Sequence, residues 1–260
     1  MKKVFFLGII VMITLHAMAQ DSLPRVQVRE YPVLWQQTAA EYRALCYQAF
    51  NMAALRLKEI PKRKFRREKI AIITDLDETI LDNSYSEAQL MKTGKEYSSA
   101  AWKDWTSKSG ATAVPGAVEF LQMAKQRGAS IFYISNRDTT ELLSTRVNLV
   151  NLQLPDADSA HMLFYTNNSS KESRRQLVSS EYNVVMLLGD NLNDFMNIFE
   201  KKTIADRFTE TDKEKEEWGK KFIVLPNSTY GEWENAIYNY QRNLTPSQKE
   251  KMRLTLMKGY

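Results

Sequence analysis

One cysteine and two histidines are all that the 260 residues hold of the soft and imidazole metal ligands. A lone cysteine excludes an intramolecular disulfide and an all-cysteine metal site. Two histidines are too few for a multi-histidine zinc centre. Oxygen ligands are what remains for a metal. The sequence also lacks an apolar run of the about 20 residues that cross a bilayer. It has no internal repeat and no low-complexity tract. The excess of positive charge is small, 36 Lys+Arg against 31 Asp+Glu for a formal +5. Such an excess points to a polyanion partner only if it forms a basic face. What is present is ordinary: 43% hydrophobic, 26% charged and 11% aromatic residues. That composition builds a packed core and excludes a disordered chain. The length suits one large domain or two small ones.

Met1-Lys2-Lys3 opens the chain, an apolar run covers Val4 to Leu15, and Ala17-Met18-Ala19 precedes Gln20. A basic start, a short apolar segment and an A-x-A site predict a secretory signal peptide over residues 1–19. An uncleaved anchor is the competing reading, and the shortness of the run opposes it. No cysteine follows the run, so no lipid can be attached there. Cleavage after Ala19 removes Lys2, Lys3 and His16, leaving 34 basic and 31 acidic side chains and His161. The sequence therefore predicts an exported protein, periplasmic or extracellular, with no stable membrane anchor after cleavage. Cys46 lies in an apolar helical pattern and reads as a buried small hydrophobe.

Residues 20–260 read as a single domain. The spacing of Val33, Leu34, Ala40, Leu45, Ala49, Ala53, Leu57 and Ile60 predicts one long helix over 33–59, with no Gly or Pro inside. The basic run Lys62–Arg67 reads as a solvated linker face. Five apolar runs of strand length follow, at 70–73, 130–134, 162–165, 184–188 and 222–225. Helical stretches at 116–127, 139–150 and 171–180 separate most of them. This alternation predicts an α/β fold, a parallel central sheet covered by helices on both faces. Residues 82–115 break the rhythm and carry Tyr85, Tyr97, Trp102 and Trp105. An insertion just after the first strand would lie over the carboxyl end of the sheet, where such folds bind ligands. The tail 242–260 is polar and says little.

Acidic motifs stand at the strand ends. The first strand runs into Thr74-Asp75-Leu76-Asp77-Glu78-Thr79, and a later one into Gly189-Asp190-Asn191-Leu192-Asn193-Asp194. Adjacent parallel strands would bring Asp190 and Asp194 beside Asp75. Buried carboxylates in a group need a cation or a shared proton. Carboxylate oxygens without histidine or thiolate select Mg²⁺ over zinc. Another strand ends in Ser135-Asn136-Arg137, whose hydroxyl and amide can donate to phosphate oxygens. Lys171 starts a helix, where its charge and the helix N-terminus both favour an anion. Each motif alone has an ordinary explanation as a turn, a cap or a solvated charge. All four in this order, each at a strand end or helix start, do not.

Together these motifs resemble those of the haloacid dehalogenase (HAD) superfamily of phosphotransferases. Val33–Phe50, Leu81-Asp82-Asn83-Ser84, Val114–Phe120 and Leu225–Trp233 are further similar to the bacterial class C acid phosphatases, the lipoprotein e type of non-specific acid phosphatase and 5′-nucleotidase (subfamily IIIB). The resemblance covers about residues 33–240. It implies a HAD-like Rossmannoid three-layer α/β/α fold with a small, mainly helical cap at about 82–115. It implies that Asp75 is the nucleophile and forms an aspartyl phosphate, and that Asp77 is the acid/base. Ser135, Asn136 and Lys171 would bind phosphate. Asp75, the Asp77 backbone carbonyl, Asp190 and Asp194 would hold Mg²⁺, with Asp194 direct or through water. The resemblance also implies a homodimer. This chain departs from the family in lacking the lipidation cysteine and a second lysine before Lys171; Arg174 and Arg175 are weaker third-motif candidates.

The substrate is then a small phosphomonoester, foremost a 5′-nucleotide such as a nucleoside monophosphate or NMN. Tyr230, Tyr85 and Trp102 are candidates to stack on its base, while Trp105 and Trp233 read as packing and His161 as structural. Sugar or cofactor phosphates are the alternative substrates. A non-catalytic ligand-binding or storage relative is a further reading, and the intact Asp75 and Asp77 oppose it. A nucleic-acid polymer has only the run at 62–67 in its favour, and a cap over the site disfavours it.

Overall fold

The computed structural model describes residues 28–260; the signal peptide expected over 1–19 lies outside them. Two helices come first, α1 (Glu30–Thr38) and α2 (Ala40–Glu59), then the short α3 (Lys62–Arg67) and strand β1 (Ile70–Thr74). Next are β2 (Leu81–Asp82), α4 (Ser84–Lys92), α5 (Ser99–Ser107), β3 (Thr112–Ala113) and α6 (Ala117–Gln126). The rest alternates: β4 (Ser130–Asp138), α7 (Leu142–Asn151), β5 (Met162–Tyr165), α8 (Glu172–Glu181), β6 (Asn183–Gly189), α9 (Ile204–Lys213), β7 (Phe222–Val224), α10 (Glu232–Ile237) and α11 (Pro246–Leu256).

Among the described residues the main sheet has five strands, all parallel, in the order β5-β4-β1-β6-β7. Every residue of central β1 is buried. Its side chains alternate between two cores, as the period of two demands. Ile70 and Ile72 join Cys46, Phe50, Leu57, Phe120 and Leu121 beneath α2 and α6. Ala71 and Ile73 join Val178, Phe195 and Phe222 on the side of α8. These are the three layers expected of an α/β/α sandwich, and they explain why the strands read as continuous apolar runs. Among the described residues no helix is long and apolar enough to cross a membrane.

The structure refines the sequence expectations in several elements. The helix over 33–59 is broken: Ala39 is extended (φ −79°, ψ 125°) between α1 and α2. No Gly or Pro marks the break, because its cause is tertiary. α1 packs on α4 whereas α2 packs on α6 and β7, and one straight rod would not reach both. The basic run at 62–67, read as a solvated linker face, is the short helix α3 and buries no residue. β4 runs to Asp138, so Ser135, Asn136 and Arg137 lie on the strand and alternate buried, exposed, buried. β2 and β3 pair antiparallel and close the base of the segment that carries α4 and α5.

Candidate active site

Neighbouring parallel strands set the frame. Thr74 of β1 pairs with Leu188 of β6, and the Asp75 N–H donates to the Leu188 carbonyl (3.0 Å). Asp75 and Asp190 therefore leave the sheet side by side at its carboxyl end. A tight turn after β6 returns Asp194 to the same place. Its Oδ2 accepts the Asn191 N–H (3.1 Å), and the Asn191 side chain accepts the Asn193 N–H. Gly189 makes room for this return. A Cβ on it would lie 2.5 Å from both the Asp194 Cβ and Oδ2.

Lys171, at the N-cap of α8, sits among these acids. Its Nζ donates to Asp75 Oδ1 (2.5 Å) and to Asp194 Oδ1 (2.6 Å). Asp190 accepts from Thr79 Oγ1 (3.2 Å) and from Asn227 Nδ2 (2.7 Å). Burial raises the Asp75 carboxyl well above the usual range; Lys171 opposes this, while Asp194, Asp190 and Asp77 add to it. Burial, with Asp194 beside it, pushes Asp190 up to about 7 despite the Asn227 hydrogen bond. Burial alone would lower Lys171, but Asp194 and Asp75 outweigh it and raise it. Three acids thus share one cation, and the site is short of positive charge.

Asp75, Asp190 and Asp194 can each turn one carboxylate oxygen to within 4.8 Å of the others. This all-oxygen donor set fits a hard divalent cation. Asp156, Asp158 and His161 meet the same spacing. Their groups are already engaged: Asp156 accepts from Lys125 and the Ile131 N–H, and Asp158 holds His161 Nδ1 at 2.9 Å. His161 is accordingly structural.

Asp77 has a different neighbourhood. Its Oδ1 accepts from Arg137 Nη2 (2.7 Å), Arg137 Nε (3.0 Å) and Asn83 Nδ2 (2.9 Å). Its Oδ2 has only longer contacts, to Arg137 Nε (3.3 Å) and Ser135 Oγ (3.4 Å). Arg137 is buried and also donates to Thr145 (2.9 Å). Burial opposes its charge, Asp77 more than compensates, and its proton is held more tightly than usual.

Ser135 thus faces Asp77, but the exposed Asn136 does not. The Asn136 amide donates to the Ser169 carbonyl (2.9 Å) and accepts from Arg174 (2.6 Å). Alternation along β4 is the reason, since Ser135 and Arg137 occupy one face and Asn136 the other. Among the aromatic candidates, the Tyr230 hydroxyl bonds to Glu78, and the Arg29 guanidinium lies 6.0 Å from its ring centre. Trp102 has the Arg137 guanidinium over its ring at 5.6 Å. Tyr85 is half exposed and stacks on Trp105 (6.4 Å, 18°). Trp233 donates to the Tyr230 carbonyl and keeps 41% of its surface exposed, so it packs on one side only.

The family described as "HAD superfamily, subfamily IIIB (Acid phosphatase)" matches residues 12–233. The chain belongs to this family. The class C acid phosphatase of Bacillus anthracis is similar at 41% identity and a TM-score of 0.83, over 88% of this chain and 96% of that one. The same enzyme with tungstate bound matches at 40% identity and 0.83 over the same shares. As a subfamily IIIB acid phosphatase the protein is a phosphoric monoester hydrolase with the HAD-like fold. Phosphatases of this superfamily use a divalent metal, and the acidic group here is one that could bind it.

Several further residues of this phosphatase site had no role assigned from the sequence. Arg137 was legible as the position two beyond Ser135 on the same strand face. Thr79, Asn83 and Asn227 stood inside segments that carry the family resemblance, but their roles were not legible, because only the fold shows that they donate to Asp190 and Asp77. Glu78 is buried with a left-handed backbone (φ 59°), and burial raises its carboxyl well above the usual range.

Proposed function

We propose that this phosphatase is an exported, Mg²⁺-dependent 5′-nucleotidase that works through a phosphorylated Asp75. The observation that carries the reading is the convergence of Asp75, Lys171, Asp190 and Asp194 at the carboxyl ends of β1 and β6. An Asp75 oxygen attacks phosphorus, and the bond from phosphorus to the ester oxygen breaks. The electron pair leaves on that oxygen, which takes a proton from Asp77. Water then attacks the aspartyl phosphate; Asp77 accepts its proton, and inorganic phosphate leaves as Asp75 is regenerated. Splitting the reaction lets one carboxyl serve as acid and then base. Lys171 and Ser135 neutralise and orient the phosphoryl oxygens. Asn136 joins them if its amide exchanges Ser169 for phosphate. Bound by Asp75, the Asp77 backbone carbonyl, Asp190 and Asp194, Mg²⁺ would supply charge neutralisation at the phosphoryl oxygens. Tungstate binding by the similar B. anthracis enzyme supports a pocket for a tetrahedral oxyanion.

Tyr230 and Trp102 support the nucleotide reading. One touches Glu78, next to Asp77, and the other covers Arg137, which holds Asp77. Flat rings this near the acid/base suit a base stacked one sugar away from the phosphate. The half-exposed Tyr85 is the third candidate. Residues 82–115, as a cap over the site, favour small esters over nucleic-acid polymers. Export rests on the signal-like residues 1–19, and a homodimer on the family resemblance.

The test is hydrolysis of nucleoside monophosphates, NMN, sugar phosphates and p-nitrophenyl phosphate with and without Mg²⁺. The reading expects Mg²⁺ dependence, and kcat/KM for the best nucleotide at least tenfold above that for sugar phosphates. Equal values across the panel would move the substrate to generic small phosphomonoesters.

A further inference from the structure

Two tryptophans of α5 lie one turn apart, and each touches a different partner of Asp77. Trp105 Nε1 donates to Asn83 Oδ1 (2.8 Å), while Asn83 Nδ2 donates to Asp77 Oδ1 (2.9 Å). An indole N–H only donates, so it fixes which end of the Asn83 amide faces it. With the carbonyl end committed to Trp105, the NH₂ end must face Asp77. The Arg137 guanidinium lies over the ring of Trp102 (5.6 Å to its centre), while its Nε and Nη2 donate to Asp77 and its Nη1 donates to Thr145. A guanidinium held over an aromatic ring and hydrogen-bonded through three of its nitrogens has little freedom left.

α5 itself is tied to the strand that delivers Arg137. Thr106 Oγ1 donates to Glu141 (2.8 Å) and Lys103 Nζ to Thr140 (3.1 Å), both in the turn following β4. The Ser98 side chain caps the helix by accepting the Ala101 N–H.

We propose that α5 is a clamp for the acid/base, with Trp102 and Trp105 as positioning residues acting through Arg137 and Asn83. The clamp loads Asp77 Oδ1 with three close donors. Oδ2 keeps only contacts of 3.3 and 3.4 Å, and it is the oxygen that carries the transferred proton. The inserted helix thereby serves proton transfer to the leaving group as well as covering the site. The inference rests on the reading of Asp77 as acid/base.

The test uses aryl phosphates with leaving groups of rising pKa: 2,4-dinitrophenyl, p-nitrophenyl and phenyl phosphate. A poor leaving group needs the proton and a good one does not, so the slope of log(kcat/KM) against leaving-group pKa reads acid catalysis alone. Trp105→Phe keeps a ring and removes the N–H; Trp102→Leu removes the π face. General acids contribute on the order of 10²–10⁴-fold, and a misplaced one forfeits part of that. Each variant is expected to lose about tenfold more on phenyl than on 2,4-dinitrophenyl phosphate, with inhibition by inorganic phosphate within about twofold of wild type. Asp77→Asn sets the steep limit. A uniform loss across the series, or none, in both tryptophan variants while Asp77→Asn steepens the slope overturns the clamp and leaves Asp77 as the acid. A slope unchanged in Asp77→Asn overturns the acid/base reading and the clamp with it.

Discussion

At Gly189 the chain has no room for a side chain, because the Asp194 carboxylate returns to within 2.5 Å of where a Cβ would stand. Its backbone is not left-handed, so the constraint is purely one of space. Gly189→Ala should push Asp194 away from Lys171 and from the other carboxylates of the proposed metal site. We expect the Mg²⁺ concentration for half-maximal activity to rise about tenfold and stability to fall by roughly 1–3 kcal/mol, the usual cost of overpacking. A metal titration and a thermal melt check both. Gly110→Ala is the control, since its Cβ would meet nothing nearer than 3.8 Å. Lys171→Met is the opposite perturbation, removing the one cation between Asp75 and Asp194. Breaking a buried pair typically costs about 3–5 kcal/mol. A bound divalent cation would replace the missing charge, so the melting temperature should fall more without metal than with it. An equal fall would show that Lys171 does not balance these acids. Asp75, Asp77, Lys171, Asp190 and Asp194 were legible as residues because carboxylates and a lysine at strand and helix ends have few structural uses. Asn136 was legible as part of the Ser135-Asn136-Arg137 motif, but its present partners, the Ser169 carbonyl and Arg174, were not: they follow from alternation along β4, which runs to Asp138.

Among the elements, the strands were the most readable. β1 is buried throughout and β6 from Met186 onward, so their apolar runs are uninterrupted. The break at Ala39 left no mark, because packing on α4 makes it and propensity does not. α11 was missed although it carries a signal. Thr245-Pro246-Ser247-Gln248 is a capping box with proline in the first turn, and the structure closes it in both directions. Thr245→Ala should cost about 1 kcal/mol. Its effect should appear as faster amide hydrogen exchange confined to α11, with activity intact. Exchange that quickens throughout the molecule would show that α11 is not a separable element.

For the molecule as a whole, the acidic group links stability to pH and metal. Asp190 is raised to about 7 by burial and Asp194, and Asp75 is raised as well. A carboxyl whose pKa is higher folded than unfolded stabilises the fold while protonated. That contribution is whole below the unfolded value of 3.8 and is lost as pH rises through about 7. The metal-free protein should therefore lose this stability between about pH 4 and 7. Protons and cation compete for these oxygens, so the gain in melting temperature on adding Mg²⁺ should widen across that range. A gain constant with pH would place the metal elsewhere. The central claim is that Asp75 carries the phosphoryl group. Rapid acid quench during turnover of a ³²P-labelled substrate should give hydroxylamine-labile label on the Asp75 peptide, and none in Asp75→Asn. Label on another residue, or a labelled Asp75→Asn protein, would contradict the account.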